Sequence, residues 1–241
     1  LPFEDWLRIR QFHFLMVIFG SEVFRDLKRE LEAHELDYAN LAKRILEDAG
    51  FWPSTWANLF REFRQASMDE LIEKEDLRVE YSPDEMKDIE LKFPAQNYYY
   101  FAKFACSRKT ADEFHTYLSN GISRLFPQAS ELAQQSIIQS LELSFDRLIC
   151  YEDNVIKKNV LYDINIDKWE SNVACESYEK YKAERPLTFR LEIEASIKPR
   201  LDSLLETGLS LVDAVYKLRN GYIGYRGDIV FAYRRIQTEA E

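Results

Sequence analysis

A chain of 241 residues with a net charge of −10 is long enough for one large domain or two small ones. Its 46% hydrophobic and 14% aromatic content exclude a disordered chain. The acidic balance argues against a general nucleic-acid binder, because phosphate contacts need a basic surface.

The first 48 residues read as helices. Phe3, Trp6, Leu7, Ile9 and Phe12 open an apolar stripe that thickens into the run at residues 12–20, FHFLMVIFG. That run has about half of the roughly 20 residues a membrane span needs and contains His13, so a helix buried inside a protein is expected, with no membrane insertion. Ser21 is a candidate N-cap ahead of Val23, Phe24, Leu27 and Leu31. Asp37 caps a further helix carrying Leu41, Ile45 and Leu46, and Gly50 stops it. After the break at residues 51–54, Trp56, Leu59, Phe60 and Phe63 resume helical spacing. Residues 69–92 are rich in Asp, Glu and Lys and read as an exposed connection with a short extended piece at 77–81.

Helix returns over 94–126, with Pro94 in its first turn and Pro127 at its end. A longer helix is expected from Ser130 to about Glu152. The period then changes. Val160, Tyr162, Ile164 and Ile166 alternate with Leu161, Asp163 and Asn165, Phe189, Leu191 and Ile193 with Arg190, Glu192 and Glu194, and Ile229, Phe231 and Tyr233 with Val230, Ala232 and Arg234. Period two with aromatic and branched residues predicts three strands of a small antiparallel sheet. Helices are expected between them, over 169–182 and 199–220. The fold class is therefore α+β and predominantly α. A helical bundle over 1–150 is followed by a small α+β subdomain over 151–241 that shares its core.

Little in the chain carries recognisable chemistry. Cys106, Cys150 and Cys175 lie far apart, which suits small buried thiols in a reducing cytoplasm and not a disulfide framework. His13, His34 and His115 have no metal-ligand spacing. GYIGYRG at 221–227 follows a helix and precedes a strand, the reverse of a dinucleotide fingerprint, and reads as a turn. Asp146 reads as a helix carboxylate paired with Arg147 or a solvent-side base. The pocket or partner candidates are His13, His115 and the aromatic turn Tyr98, Tyr99 and Tyr100. The tyrosines offer a stacking wall, and each histidine could do acid–base work beside a carboxylate.

At Tyr151 the sequence YEDNVIKKNVLYDINIDKW resembles the C-terminal region of radical SAM proteins that also carry a cobalamin-binding domain. Tyr151 and Ile156 match a Tyr-centred helix end, and Tyr162, Asp163, Ile164 and Trp169 match the strand and aromatic that follow. The opening FEDWLRIRQFHFLMVIFG is similar to the helix that leaves the radical SAM barrel. The resemblance implies an accessory, substrate-shaping domain whose partner is an upstream radical SAM domain of the same polypeptide. It implies a [4Fe–4S] cluster, SAM and cobalamin for that parent chain only. The cysteines here cannot supply the CxxxCxxC spacing of the cluster, and none of the matched positions is catalytic. The opening on Leu1 reads as a piece cut from a longer polypeptide or trimmed to its ordered part. The alternative is a stand-alone helical protein-interaction module engaging a protein partner around Tyr98–Phe104.

Overall fold

The computed structural model describes residues 2–75, 95–151, 157–172, 176–193, 195–220 and 235–237. The expected extended piece at 77–81, the turn at 221–227, the strand at 229–233, Ile156 and Cys175 lie outside them.

The chain is predominantly α with a small antiparallel sheet, as its periodicity predicts. α1 (Phe3–Gly20) buries Leu7, Phe14, Leu15, Ile18 and Phe19. It packs on α3 (Tyr38–Glu47), α4 (Ser54–Glu75) and α5 (Ala95–Ala105). Asp37 caps α3 as expected, its carboxylate accepting from Ala39 N at 2.8 Å. Ser21 does not cap by its side chain. Its hydroxyl turns back and donates to the Ile18 carbonyl at 2.6 Å, and a short 3₁₀ turn (Glu22–Phe24) leads into α2 (Arg25–Ala33).

α6 (Arg108–Leu125) starts at Ser107, whose hydroxyl accepts from Thr110 N at 3.3 Å. α7 (Glu131–Arg147) starts at Ser130 in the same way, accepting from Ala133 N at 3.2 Å. α7 ends five residues earlier than Glu152, because Leu148 turns to extended backbone and Leu148, Ile149 and Cys150 run buried into the core. Its Ser136, Ser140 and Ser144 are fully buried, each hydroxyl returning to a carbonyl of the preceding turn. Small side chains with satisfied hydroxyls let α2 and α6 approach this helix closely.

The sheet is β1 (Lys157–Ile164), β2 (Lys182–Glu192) and β3 (Arg235–Gln237), in the order β1-β2-β3 with both pairings antiparallel. Between β1 and β2 the chain departs from expectation. Ile166 does not continue the strand, because Asn165 accepts from Lys168 N at 3.0 Å and caps α8 (Ile166–Ser171). The predicted helix over 169–182 is instead the end of α8, a 3₁₀ turn (Tyr178–Tyr181) and the start of β2. The predicted helix over 199–220 is split into α9 (Ile197–Glu206) and α10 (Leu211–Asn220). Gly208 at φ 84° breaks it, and Ser210 restarts it by accepting from Asp213 N at 3.1 Å.

Apolar packing divides into two clusters. The larger joins α1–α7 with Ile193, Ile197, Val215 and Leu218. Its centre is aromatic: Trp56 stacks on Phe114 at 3.6 Å between ring centroids, with Phe60 and Phe104 beside it. The smaller holds Val160, Tyr162, Ile164, Phe189, Leu191, Trp169 and Tyr178 against Leu143 of α7.

One surface detail yields a test. Gly121 lies under Arg124, and a Cβ there would meet Arg124 Nη2 at 2.9 Å. Arg124 bonds Asp48 through Nε and Nη2 at 2.8–3.0 Å and lies over the Phe51 ring at 4.4 Å. In Gly121→Ala the guanidinium swings away. The helix gains about 1 kcal/mol from replacing glycine, and the half-exposed pair loses about 0.2–1 kcal/mol. Net stability should rise by at most about 0.8 kcal/mol. A double-mutant cycle should meanwhile find the Arg124–Asp48 coupling gone; a retained coupling would show that the close approach does not exist.

Candidate functional site

Among the described residues, a cluster of buried charged groups lies where α2 meets residues 169–172 and 176–178. Asp26 and Glu30 sit one turn apart on α2 and are both fully buried. Arg147 at the end of α7 donates Nε to Asp26 Oδ2 at 2.6 Å and Nη2 to Glu170 Oε1. Arg25 Nη2 reaches the same Glu170 oxygen at 2.9 Å. Glu30 accepts from Ser177 Oγ at 2.7 Å and Tyr178 N at 2.9 Å, with His34 Nε2 at 3.0 Å from Oε1. Arg29 completes the seam. Its guanidinium lies over Trp169 at 4.3 Å and donates to the carbonyls of Trp169, Glu170 and Asn172, the orphan acceptors at the end of α8. Burial disfavours the Arg147 charge, but Asp26 and Glu170 outweigh it and hold the guanidinium above its ordinary range. Burial likewise pushes the Asp26 carboxyl and the Tyr178 phenol up.

A second group faces outward between α7 and β1. Asp146 accepts from Tyr162 Oη at 2.6 Å and from Lys158 Nζ. Burial and then Asp146 push the Tyr162 phenol up, so it remains a protonated donor. Glu142, one turn before Asp146, is held above the ordinary carboxylate range by partial burial and by the carboxylates of Asp146 and Asp163. His115 packs its ring on Phe145 at 4.8 Å, and its Nε2 is buried without a hydrogen-bond partner. Asp146 thus has the base that the sequence anticipates, from β1 and not from Arg147. The arrangement can orient and shield a proton.

The other sequence-predicted residues do not join these groups. His13 lies on the exposed side of α1, not in the core that its apolar neighbours suggest. Its Nδ1 accepts from Asn97 Nδ2 at 3.0 Å, so its described partner is an amide and not a carboxylate. Asn97 itself is 1% exposed. Tyr100 is buried, and burial raises its phenol to about 12. Tyr98 and Tyr99 are half-buried, with Tyr99 edge-on to Tyr100 and to Tyr216 of α10. The aromatic turn therefore packs against the body and does not line an open wall.

A shallow depression of about 400 Å³ lies elsewhere, between α1, the end of α3 and the middle of α4. Glu4, Asp5, Arg8, Gln11, Leu46, Ala49, Trp52 and Arg64 line it. Arg64 closes on Glu4 at 2.9 Å. Sequence reasoning missed both this depression and the seam. The charged teeth of α2 read locally as a solvated face, and the depression is assembled from separate helices with no local signal. Among the described residues no group of three or more His, Cys, Asp and Glu is placed to hold a metal ion. No helix among them is long and apolar enough to cross a membrane.

Protonation of the histidines gives a direct test. Partial desolvation, then Arg10, holds His13 below the ordinary imidazole value of 6.5, and desolvation does the same for His115. The folded state then binds fewer protons than the unfolded chain between the folded midpoints and 6.5. The stability these groups contribute is full above 6.5 and is lost as pH falls through that window. An NMR titration should place both midpoints below 6.5, and a midpoint above it for either ring would refute its desolvation.

Compared with known proteins, the chain matches no family model, no curated protein and no solved structure.

Proposed function

We propose that this chain is an accessory, substrate-shaping domain of a longer radical SAM enzyme of the cobalamin-binding type, contributing neither cluster nor SAM ligands itself. The observation that carries the reading is what the matched positions do. Among the described residues, the matched Tyr151, Tyr162, Ile164 and Trp169 are buried packing positions, and Asp163 is exposed. Tyr162 anchors β1 to α7 through Asp146, and Trp169 lies between Arg29 and Tyr178, which it stacks on at 4.4 Å. A resemblance borne by such residues is a resemblance in an architectural part, which suits a domain that shapes a site held by its neighbour.

The start of α1 suggests where the neighbour docks. Phe3 stacks on Trp6 at 6.3 Å while remaining 48% exposed, and Ile9 is 54% exposed. This is the end of the helix that resembles the exit from the radical SAM barrel. An upstream domain seated there would cover these side chains and the mouth of the depression beside them.

The test is to read the native gene upstream of the Leu1 codon and to assay the purified chain for iron and SAM. A CxxxCxxC segment upstream, with neither ligand bound by this piece, is the expected result. A start codon directly before Leu1, or iron and SAM bound here, would overturn the proposal. The start-codon outcome would favour a stand-alone interaction module.

A further inference from the structure

Residues 157–192 leave the helical body and return to it at one place. β1 begins at Lys157 and β2 ends at Glu192, and these two residues are paired across the sheet. β3 pairs with Arg190, Leu191 and Glu192, so it sits at that same end. The connection at the other end of the hairpin carries α8 and the 3₁₀ turn at Tyr178–Tyr181. The excursion has an apolar cluster of its own, in which Leu143 is the one side chain from the helical body among the described residues. Its fastening to the body is chiefly polar. Arg25 and Arg147 hold Glu170, Arg29 holds the carbonyls of Trp169, Glu170 and Asn172, and Glu30 accepts from Ser177 Oγ and Tyr178 N. Nearer the paired ends, Asp146 accepts from Tyr162 Oη and Lys158 Nζ.

We propose that residues 157–192 are an arm, hinged at the Lys157–Glu192 end and clasped at the other end by the charged seam, that swings off the helical body as one piece. The chemistry of the clasp favours this. Parting two apolar faces exposes them to water with no return, whereas parted carboxylates and guanidinium groups regain hydration. Units joined through polar faces move relative to one another by default. Swinging breaks the bonds of Glu170, Glu30 and Arg29 across the seam and releases Tyr162 from Asp146. It keeps the bonds inside the arm: the β1–β2 ladder, Asn165 N to the Tyr181 carbonyl at 2.8 Å, and Trp169 stacked on Tyr178. The open body then shows water the charged groups of α2 and Arg147, not its aromatic centre.

The test is amide hydrogen exchange followed by NMR on the full chain and on Arg29→Met. Three amides separate the outcomes: Tyr178 N bonds across the clasp, Asn165 N bonds inside the arm, and Phe126 N bonds to the Ile122 carbonyl inside the body. In the full chain Tyr178 should exchange roughly tenfold or more faster than both others. Arg29→Met should speed Tyr178 roughly tenfold again and leave the ratio of Asn165 to Phe126 unchanged, although the bonds of Arg29 go to residues 169, 170 and 172. Equal protection of all three amides would mean that the clasp opens only when the whole chain unfolds. Asn165 exchanging as fast as Tyr178 would mean that the arm melts and does not swing. A Tyr178 rate untouched by Arg29→Met would reduce the opening to fraying of one turn. Each of these three results overturns the arm.

Discussion

Arg147→Met should destabilise the chain by about 3–5 kcal/mol, measured by equilibrium urea unfolding, because it strands buried carboxylates. Asp26 has its carboxylate in a fully buried position, and Arg147 is the group that bonds it at 2.6 Å. Glu170 is less exposed to the loss, since Arg25 still reaches it at 2.9 Å. The same variant should acquire a pH dependence. Without the guanidinium the folded-state pKa of Asp26 rises further above its unfolded value. The deficit is then smallest below about 3.9, where the unfolded carboxyl is already protonated, and grows to its full size as pH rises through the folded pKa. Adding Asp26→Leu to Arg147→Met should restore most of the loss, because a buried ion pair exchanged for apolar groups is often neutral or stabilising. If the single and double variants were equally unstable, the loss would come from packing and not from the stranded charge.

Trp56→Ala should cost about 3–5 kcal/mol in the same assay. The indole is 0% exposed, stacked on Phe114 and flanked by Phe60 and Phe104, all themselves buried. Aromatic neighbours locked against one another relax poorly into a void, so the transfer and cavity contributions add. Trp56→Phe should lose less than half as much. It keeps a ring against Phe114 and removes an indole N–H that is buried with no partner. A loss below about 1 kcal/mol for the alanine variant would be that of a surface side chain and would deny the aromatic centre its role.

The helices of the body were legible because their signal is local. Phe14, Leu15, Ile18 and Phe19 lie three and four residues apart, and that spacing alone puts them on one face. Asp37, Ser130 and the alternation through Val160, Tyr162 and Ile164 were legible for the same reason. Ile166 misled because an alternating pattern does not show where a strand stops, and here a side-chain cap from Asn165 decides it. The helix over 199–220 misled because one glycine in a helical pattern does not reveal its φ.

The sites were less legible. His115 packs its ring on Phe145, and His13 was assigned to the core by its apolar neighbours although it faces out. The stacking wall of Tyr98, Tyr99 and Tyr100 reads from sequence as surface or core alike, and packing against α10 decides it. The seam had no local signature. In RDLKRELEA the residues Asp26 and Glu30 look like any solvated helix face. What buries them comes from positions 121 and 147 residues further along the chain.

That separation shapes the order of assembly. A chain leaving the ribosome presents α2 long before Arg147, Glu170 or Ser177 exists, and the carboxylates of Asp26 and Glu30 wait in water. Closing a loop of that length is an entropic cost met before any contact repays it. The seam therefore carries a larger loop-closure cost than the contacts between neighbouring helices, and before it closes α2 shows the solvent a charged face.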